Sequence, residues 1–339
     1  MDNILDIFNS KAFSVVELTD AINVIPNNYG RVGQMGLFAP KGVRTNTVAV
    51  EIKNGVLNLL DTQQRGAPVP VNRGSKRKIK TFAVPHIPHE DRILASDLQG
   101  IRAFGTAGIM KVVRAEVLDK LADMRNKQAI TLEHLRMTAL QGVILDGDGE
   151  TVILDLFTDF EVTQKTVDFA LDTEGTDVPG KCREINRHME DKLLGDTMTG
   201  VHCLCGSTFF DKLVKHPTVV TAYQFQNGLN PLRNDMRKKF EFQDITFEEY
   251  RANATASDGT TNVQFIADAE AHFFPVGTRS TFKQYHAPAG FIETVNTLGL
   301  ELYAKQAVDA KYQKWVDIYM ESNPLPLCLR PELLVLGTA

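Results

Sequence analysis

The chain has 339 residues, room for two packed regions at about 150 residues per domain. Hydrophobic residues make up 43% and charged residues 23%, which allows a sizeable core and excludes wholesale disorder. The formal net charge of −5 argues against a general nucleic-acid coat, which would carry a basic face.

At the N-terminus, Asp2 and Asp6 stand where a signal peptide needs positive charge ahead of an apolar stretch. No run of 18 or more apolar residues follows, so no bilayer-spanning helix is expected. A cytoplasm is the expected compartment. Four cysteines in a chain this long do not form a disulfide framework.

Further on, Val48, Val50 and Ile52 alternate with polar or small residues as a strand does, with Asn54-Gly55 as a turn signal in the same arm. Residues 79–84 are again β-prone and stop at Pro85. Between the two runs the charge is one-sided. From Thr62 to His89 there is no Asp or Glu, while Arg65, Arg73, Lys76, Arg77, Lys78 and Lys80 contribute six positive charges, so the remaining residues together carry −11. Gly66, Pro68, Pro70 and Gly74 exclude a helix interior there. The expectation is a two-stranded arm with an irregular basic tip, marginal on its own. A solvated loop, a contact with an acidic neighbouring subunit and a nucleic-acid contact all remain open. The absence of an aromatic residue for base stacking weakens the last.

Residues 109–141 contain no Gly or Pro. Ile109, Val113, Val117, Leu121, Met124, Leu132, Leu135 and Ala139 recur at helical spacing, with Gln128 breaking the stripe. Glu116 with Lys120 and Asp123 with Lys127 are favourable i,i+4 pairs, and Gly142 supplies a stop. One helix of about 50 Å is expected, with Ala129-Ile130-Thr131 as a candidate break. Asp146-Gly147-Asp148-Gly149 then lies between two β-prone runs. It resembles the start of a calcium loop, but Thr151 stands where the required Gly belongs, so a hairpin turn is the better reading.

His202-Cys203-Leu204-Cys205 is the one cluster of soft ligands, and it lacks metal-site spacing. Its alternation reads more simply as a buried strand. His86, His89 and Glu90 fail the helical metalloprotease pattern, since Pro85 and Pro88 flank them. No nucleophile elbow, phosphate-binding loop or dinucleotide fingerprint occurs. No catalytic, cofactor or metal residue is assigned. An enzyme built on His202, Cys203 and Cys205, or a single-strand-binding protein using residues 65–80, stay as alternatives.

A succession of segments carries more. VIPNNYGRVGQMGLF (24–38), VRTNTVAVEIKNGVLNLL (43–60), QRGAP (64–68), TFAVPHIPHEDRI (81–93) and DLQGIRAFG (97–105) fill the first third. TLEHLRMTALQGVILDGDG (131–149), LCGSTFFDKLVKHPTVVTAY (204–223) and FQDITFEEYRA (242–252) follow. FFPVGT (273–278), APAGFIETVNTLGLELYAKQ (287–306) and SNPLPLCLRPELLV (322–335) complete the series. In this order they resemble the major capsid proteins of tailed phages related to protein E of phage lambda. Two departures are that Phe-x-x-Gly-Ile before the EEY segment reads Phe242-Gln243-Asp244-Ile245, and that Ala252 replaces a Gly.

The resemblance implies the α+β fold of tailed-phage capsid subunits, the Hong Kong 97 type. Residues 1–46 would form an N-arm and 47–88 an extended loop reaching over an adjacent subunit. Residues 89–166 would make a peripheral domain with a long spine helix, 167–286 an axial domain, and 287–339 a return to the peripheral domain. It implies a structural protein, not an enzyme, self-assembling as pentamers and hexamers into an icosahedral shell around double-stranded DNA. No cofactor is implied. Scaffolding and portal proteins are the implied partners, with a decoration protein as a further candidate. The implied locations are the virion and, during assembly, the host cytoplasm. Arg65, Arg73, Lys76, Arg77, Lys78 and Lys80 are the candidate contacts between subunits.

Overall fold

A computed structural model describes residues 14–24, 30–53, 77–97, 106–226, 237, 239–256 and 258–339. The chain opens with α1 (Val15–Val24), α2 (Arg31–Gln34), β1 (Ala39–Gly42), β2 (Thr47–Lys53), β3 (Arg77–Ala83) and β4 (Ile87–Leu94). A long helix α3 (Thr106–Gln141) leads to β5 (Val143–Leu145), β6 (Val152–Asp155), α4 (Leu156–Phe160) and β7 (Lys165–Asp168). After them come α5 (Val178–Lys192), β8 (Gly200–Cys205), α6 (Ser207–Lys215), α7 (Pro217–Gln226), β9 (Phe240–Phe242) and β10 (Ile245–Glu249). The remainder holds β11 (Asn253–Thr255), β12 (Asn262–Gln264), β13 (Glu270–Val276), β14 (Phe282–His286), β15 (Tyr303–Val308), β16 (Trp315–Ser322), β17 (Pro324–Cys328) and β18 (Val335–Thr338).

The helix is continuous over 36 residues, about 54 Å at 1.5 Å per residue, and the candidate break at 129–131 does not occur. Ala129 is buried there, and Thr131 donates its hydroxyl to the Lys127 carbonyl, so its polar group is satisfied inside the helix. Val113, Val117, Leu121, Met124, Leu132, Leu135 and Ala139 are all buried. Gln128, the break in the stripe, is buried too, and its Nε2 donates 3.0 Å to the Ile87 carbonyl at the start of β4. The interruption is thus a tie rather than a flaw. At Gly142 the backbone turns left-handed (φ +90°), and a Cβ would collide with the Phe157 ring.

The chain divides into two compact units. The first comprises residues 1–48, 83–136 and 284–327. In it β15, β16 and β4 form an antiparallel sheet. Val316, Ile318 and Met320 alternate inward along β16 and join Val113, Val117, Leu121 and Met124 of α3 in one apolar cluster. Leu18 of α1 enters the same cluster, and Thr19 Oγ1 accepts from the Ala304 N–H at 3.2 Å. A second sheet has the order β1-β14-β17.

The second unit comprises residues 49–82, 137–283 and 328–339. Its six-stranded mixed sheet has the order β7-β18-β13-β8-β10-β9. One face packs on α5, α6 and α7 through Cys182, Ile185, Met189, Phe209, Leu213 and Val219. Phe273 sits at its centre, stacked on Phe169 at 5.7 Å and edge-on to Phe247 at 5.7 Å. The Asp-Gly stretch is a hairpin, with β5 and β6 antiparallel around it. Asp155 and Asp177 cap α4 and α5, accepting the Phe157 and Gly180 N–H groups at 3.0 and 2.9 Å. Residues 287–339 contribute to both units. β15 and β16 lie in the first unit, whereas β18 inserts between β7 and β13 in the six-stranded sheet, where Val335 joins its core.

Candidate functional site

β2 and β3 pair as a two-stranded ribbon, which is the base of the expected arm. Arg65, Arg73 and Lys76 lie outside the described residues, and Arg77 and Lys78 have their backbone in β3. Lys80 is the candidate whose side chain is described. Its ammonium lies 3.9 Å from the Asp159 carboxylate of α4, with about a quarter of the side chain exposed. Two residues on, Phe82 is buried and stacks on Phe160 at 5.9 Å. The base of the ribbon is therefore anchored within its own chain by one ion pair and one aromatic pair. Ile79, on the alternate register, is 67% exposed.

The His-Cys-Leu-Cys cluster is a buried strand. All of Val201–Cys205 is buried, with Cys203 and Cys205 facing the apolar core beside Cys182. Burial pushes the Cys182 thiol up to about 12 and raises Cys203 well above its ordinary value. Enclosed thiols held protonated in this way are poor nucleophiles at neutral pH. His202 Nε2 lies 3.3 Å from Glu248 Oε2, and its ring leans on Phe274 at 5.6 Å. Among the described residues, no group of three or more His, Cys, Asp or Glu side chains could hold a metal ion.

Two buried carboxylates organise the first unit, and motif-searching missed both. Glu133, on α3 and 2% exposed, accepts the backbone N–H groups of Val32 at 2.6 Å and Gly33 at 3.0 Å. These are free donors of the first turn of α2. Gly30 before them has φ +106°, and a Cβ there would collide with the Glu133 carboxylate. Glu133 thus clamps the segment at Val32 and Gly33 onto the long helix. Glu321, 1% exposed on β16, accepts from Asn323 Nδ2 at 2.8 Å and from the Gly290 N–H at 2.9 Å. His86 Nδ1 lies 2.9 Å from Asn323 Oδ1 and 3.2 Å from Glu321 Oε1. An acid in the middle of an apolar helix stripe, with a Gly-rich segment elsewhere to receive it, is the only signal the sequence carries for such a clamp.

The loop after β14 has the opposite character. Its backbone is fixed: Thr294 Oγ1 donates to the Ala289 carbonyl at 2.7 Å, Thr297 Oγ1 to the Thr294 carbonyl at 2.7 Å, and Tyr303 Oη accepts the Leu300 N–H at 2.9 Å. Yet Ile292 is 93% exposed, and Val295, Leu298 and Leu300 also face solvent. No helix is long and apolar enough to cross a membrane among the described residues.

Comparison with known proteins follows the same lines. The model of the family described as phage major capsid protein E matches residues 14–339. The major capsid protein of Pseudomonas phage KPP10 is 32% identical over 342 residues, covering 96% of this chain and 97% of that protein. Among solved structures, a prophage protein of Escherichia coli CFT073 assigned as a capsid protein superposes with a TM-score of 0.61 at 14% identity, covering 97% of this chain and 99% of that one. A subunit of the mature capsid of bacteriophage PhiM1 gives a TM-score of 0.52 at 12% identity, covering 93% and 87%.

Proposed function

The chain belongs to the phage major capsid protein E family, and from that premise we propose how it builds a shell. The family is structural rather than enzymatic, and the fold is that of tailed-phage capsid subunits. The protein is a major capsid protein, located in the virion shell. What carries the reading is a family match that runs through the whole described chain, from residue 14 to residue 339.

In this reading copies of the chain form pentamers and hexamers that close into an icosahedral head around double-stranded DNA. Contacts between unlike patches generate rings when the rotation closes, and rings of two sizes tile a closed surface. Many weak contacts per subunit permit correction during growth and hold the finished shell by their number. Residues 1–46 act as the N-arm, 47–88 as the extended loop, 89–166 with most of 287–339 as the peripheral domain, and 167–286 as the axial domain, to whose sheet β18 adds a strand.

Arg65, Arg73, Lys76, Arg77 and Lys78 meet an acidic surface on the neighbouring subunit, supported by a segment of +6 in a chain of −5. Lys80, paired with Asp159, steadies the base of the loop as well as adding to its field. Such rim charges set register and on-rate more than affinity. Scaffolding and portal proteins guide assembly in the host cytoplasm, and a decoration protein is a further candidate partner. The acidic remainder suits a container, because a strongly cationic lining would hold packaged DNA in place.

Sedimentation and negative-stain electron microscopy of the chain, expressed with and without a scaffolding partner, test this. Closed shells of uniform diameter are expected; a monomer in both preparations at high concentration would sink the reading. Replacing Arg73, Lys76 and Arg77 with Ser is expected to leave the subunit folded and lower shell yield, most clearly at low salt.

A further inference from the structure

Eleven large hydrophobic side chains are exposed among the described residues, and four of them, Ile292, Val295, Leu298 and Leu300, fall on one nine-residue loop. The other seven are scattered from Val16 to Tyr312, as single exposed apolar residues are on any surface. The loop is not loose. Beyond the hydroxyl ties already described, Gly299 donates its N–H to the Val43 carbonyl at 2.9 Å and Gly290 donates to Glu321. Phe291 beneath it packs edge-on to Tyr319 at 5.7 Å. A fixed backbone that presents four aliphatic side chains outward has lost its entropy before any partner arrives, which is the condition for efficient docking.

We infer that the loop Phe291–Leu300 is a preformed contact platform for a second copy of this chain. Four exposed aliphatic side chains within nine residues, with Ile292 at 93%, make a dense apolar stretch of the kind that marks an interaction site. Charge narrows the partner. Residues 287–301 contain Glu293 and Glu301 and no Lys or Arg, so neither a nucleic-acid backbone nor an anionic lipid surface is complementary to it. At the edge Lys305 pairs with Glu293 at 3.0 Å and covers the Phe291 ring at 5.1 Å. An apolar centre with a paired-charge rim is the anatomy of a protein contact. The occupant is a copy of the chain because the protein builds its shell from itself; in this the inference rests on the proposed function and names one surface for it.

The test is Ile292→Ser with Leu298→Ser in the full chain, co-expressed with its scaffolding partner beside the wild type. Both positions are exposed, so the variant is expected to keep the wild-type circular dichroism and thermal midpoint. Its yield of sedimenting shells is expected to fall by about ten-fold or more, as for loss of a central interface anchor. Hydroxyl-radical labelling of wild-type Ile292, Val295 and Leu298 is expected to drop several-fold between free subunits and shells. Undiminished shell yield from the double variant, or equal labelling in both states, would overturn the platform and leave the capsid reading standing. Labelling that falls only when a different protein is added would also overturn it. A wild-type chain that never assembles would instead bring down the function itself.

Discussion

The two units of this chain are held by different physics. In the second, the six-stranded sheet packs on three helices through an almost wholly apolar interior in which Phe169, Phe209, Phe247 and Phe273 are each 0% exposed. In the first, an apolar cluster is supplemented by buried polar side chains that each reach a segment far away in sequence. Gln128 holds the start of β4, Glu133 holds the segment at Val32 and Gly33, and Glu321 with Asn323 holds the loop at Gly290. Apolar burial is non-directional and tolerates small shifts. A buried carboxylate accepts from particular donors and from nowhere else, and leaving it unpaired is costly. The first unit thus relies on directional ties where distant segments meet. The second has buried polar contacts as well, among them His202 with Glu248 and Gln141 with the Phe265 carbonyl at 2.8 Å, but the face of its sheet against the helices is filled mainly by apolar volume.

The sharpest way to break that contrast is Phe273→Ala. Emptying a fully buried ring site that touches two other rings is expected to cost about 3–5 kcal/mol, read as a lowered urea midpoint. A loss below about 1 kcal/mol would mean the sheet core is not close-packed. Next in size, Glu133→Ala is expected to cost about 2–3 kcal/mol, because the Val32 and Gly33 donors lose their acceptor while still enclosed. The signature would be local: faster hydrogen exchange at Val32 and Gly33 and new proteolysis near residue 30, with the six-stranded sheet unchanged. Gly30→Ala should reproduce it, since its methyl group would occupy the place of the carboxylate. A uniform loss of protection in both units would break the comparison.

The same contrast decides what was legible in the sequence. The long helix, the β5–β6 hairpin and the buried strand β8 are local patterns of period 3.6 or 2, and each could be read from its own residues. The uninterrupted passage through 129–131 could not, because the tertiary enclosure of Ala129 outweighs the weak local propensity of Ile130 and Thr131. The insertion of β18 between β7 and β13 was invisible for a related reason: its partners lie about 60 and 170 residues back in the chain, and pairing leaves no local trace. Glu133 and Glu321 look like ordinary surface acids until their donors are placed beside them. Of the six basic candidates, composition exposed the cluster, but nothing local distinguished Lys80, whose partner Asp159 is 79 residues away. The fold family became legible only through the ordered succession of whole segments.

A smaller test concerns turns within the second unit. β9 and β10 are joined by Gln243 and Asp244, both left-handed at φ +52° and +60°. That is the pattern of a two-residue hairpin turn that favours Asn-Gly or Asp-Gly, and here neither residue is Gly. Asp244→Gly is therefore expected to stabilise the chain by about 0.5–1 kcal/mol, seen as a raised urea midpoint. If strain in this turn were instead relieved by side-chain contacts of Asp244, the midpoint would fall.

The least effect is expected at Asp148, where a polar network closes a loop of the second unit at the surface. Its carboxylate accepts the Thr151 hydroxyl at 2.5 Å and the N–H groups of Glu150 and Thr151 at 2.9 Å each. The Thr151 hydroxyl, followed by those two N–H donors, pulls the carboxyl from its ordinary value of 3.8 down to about 2. Because the folded value is depressed, the ionised form favours folding. Its contribution is fully present above about pH 4, where the unfolded carboxylate is also ionised, and is lost as pH falls through 2. The group is open to solvent, so water and salt screen its share of stability, and Asp148→Ala should lower stability slightly above about pH 4 and remove this group's part of the acid slope between pH 4 and 2. A carboxyl titration followed by nuclear magnetic resonance is expected to show a midpoint near 2. A midpoint near 3.8 would mean the loop is not closed in solution. A large loss of stability at neutral pH would mean that a surface polar group helps specify the second unit after all.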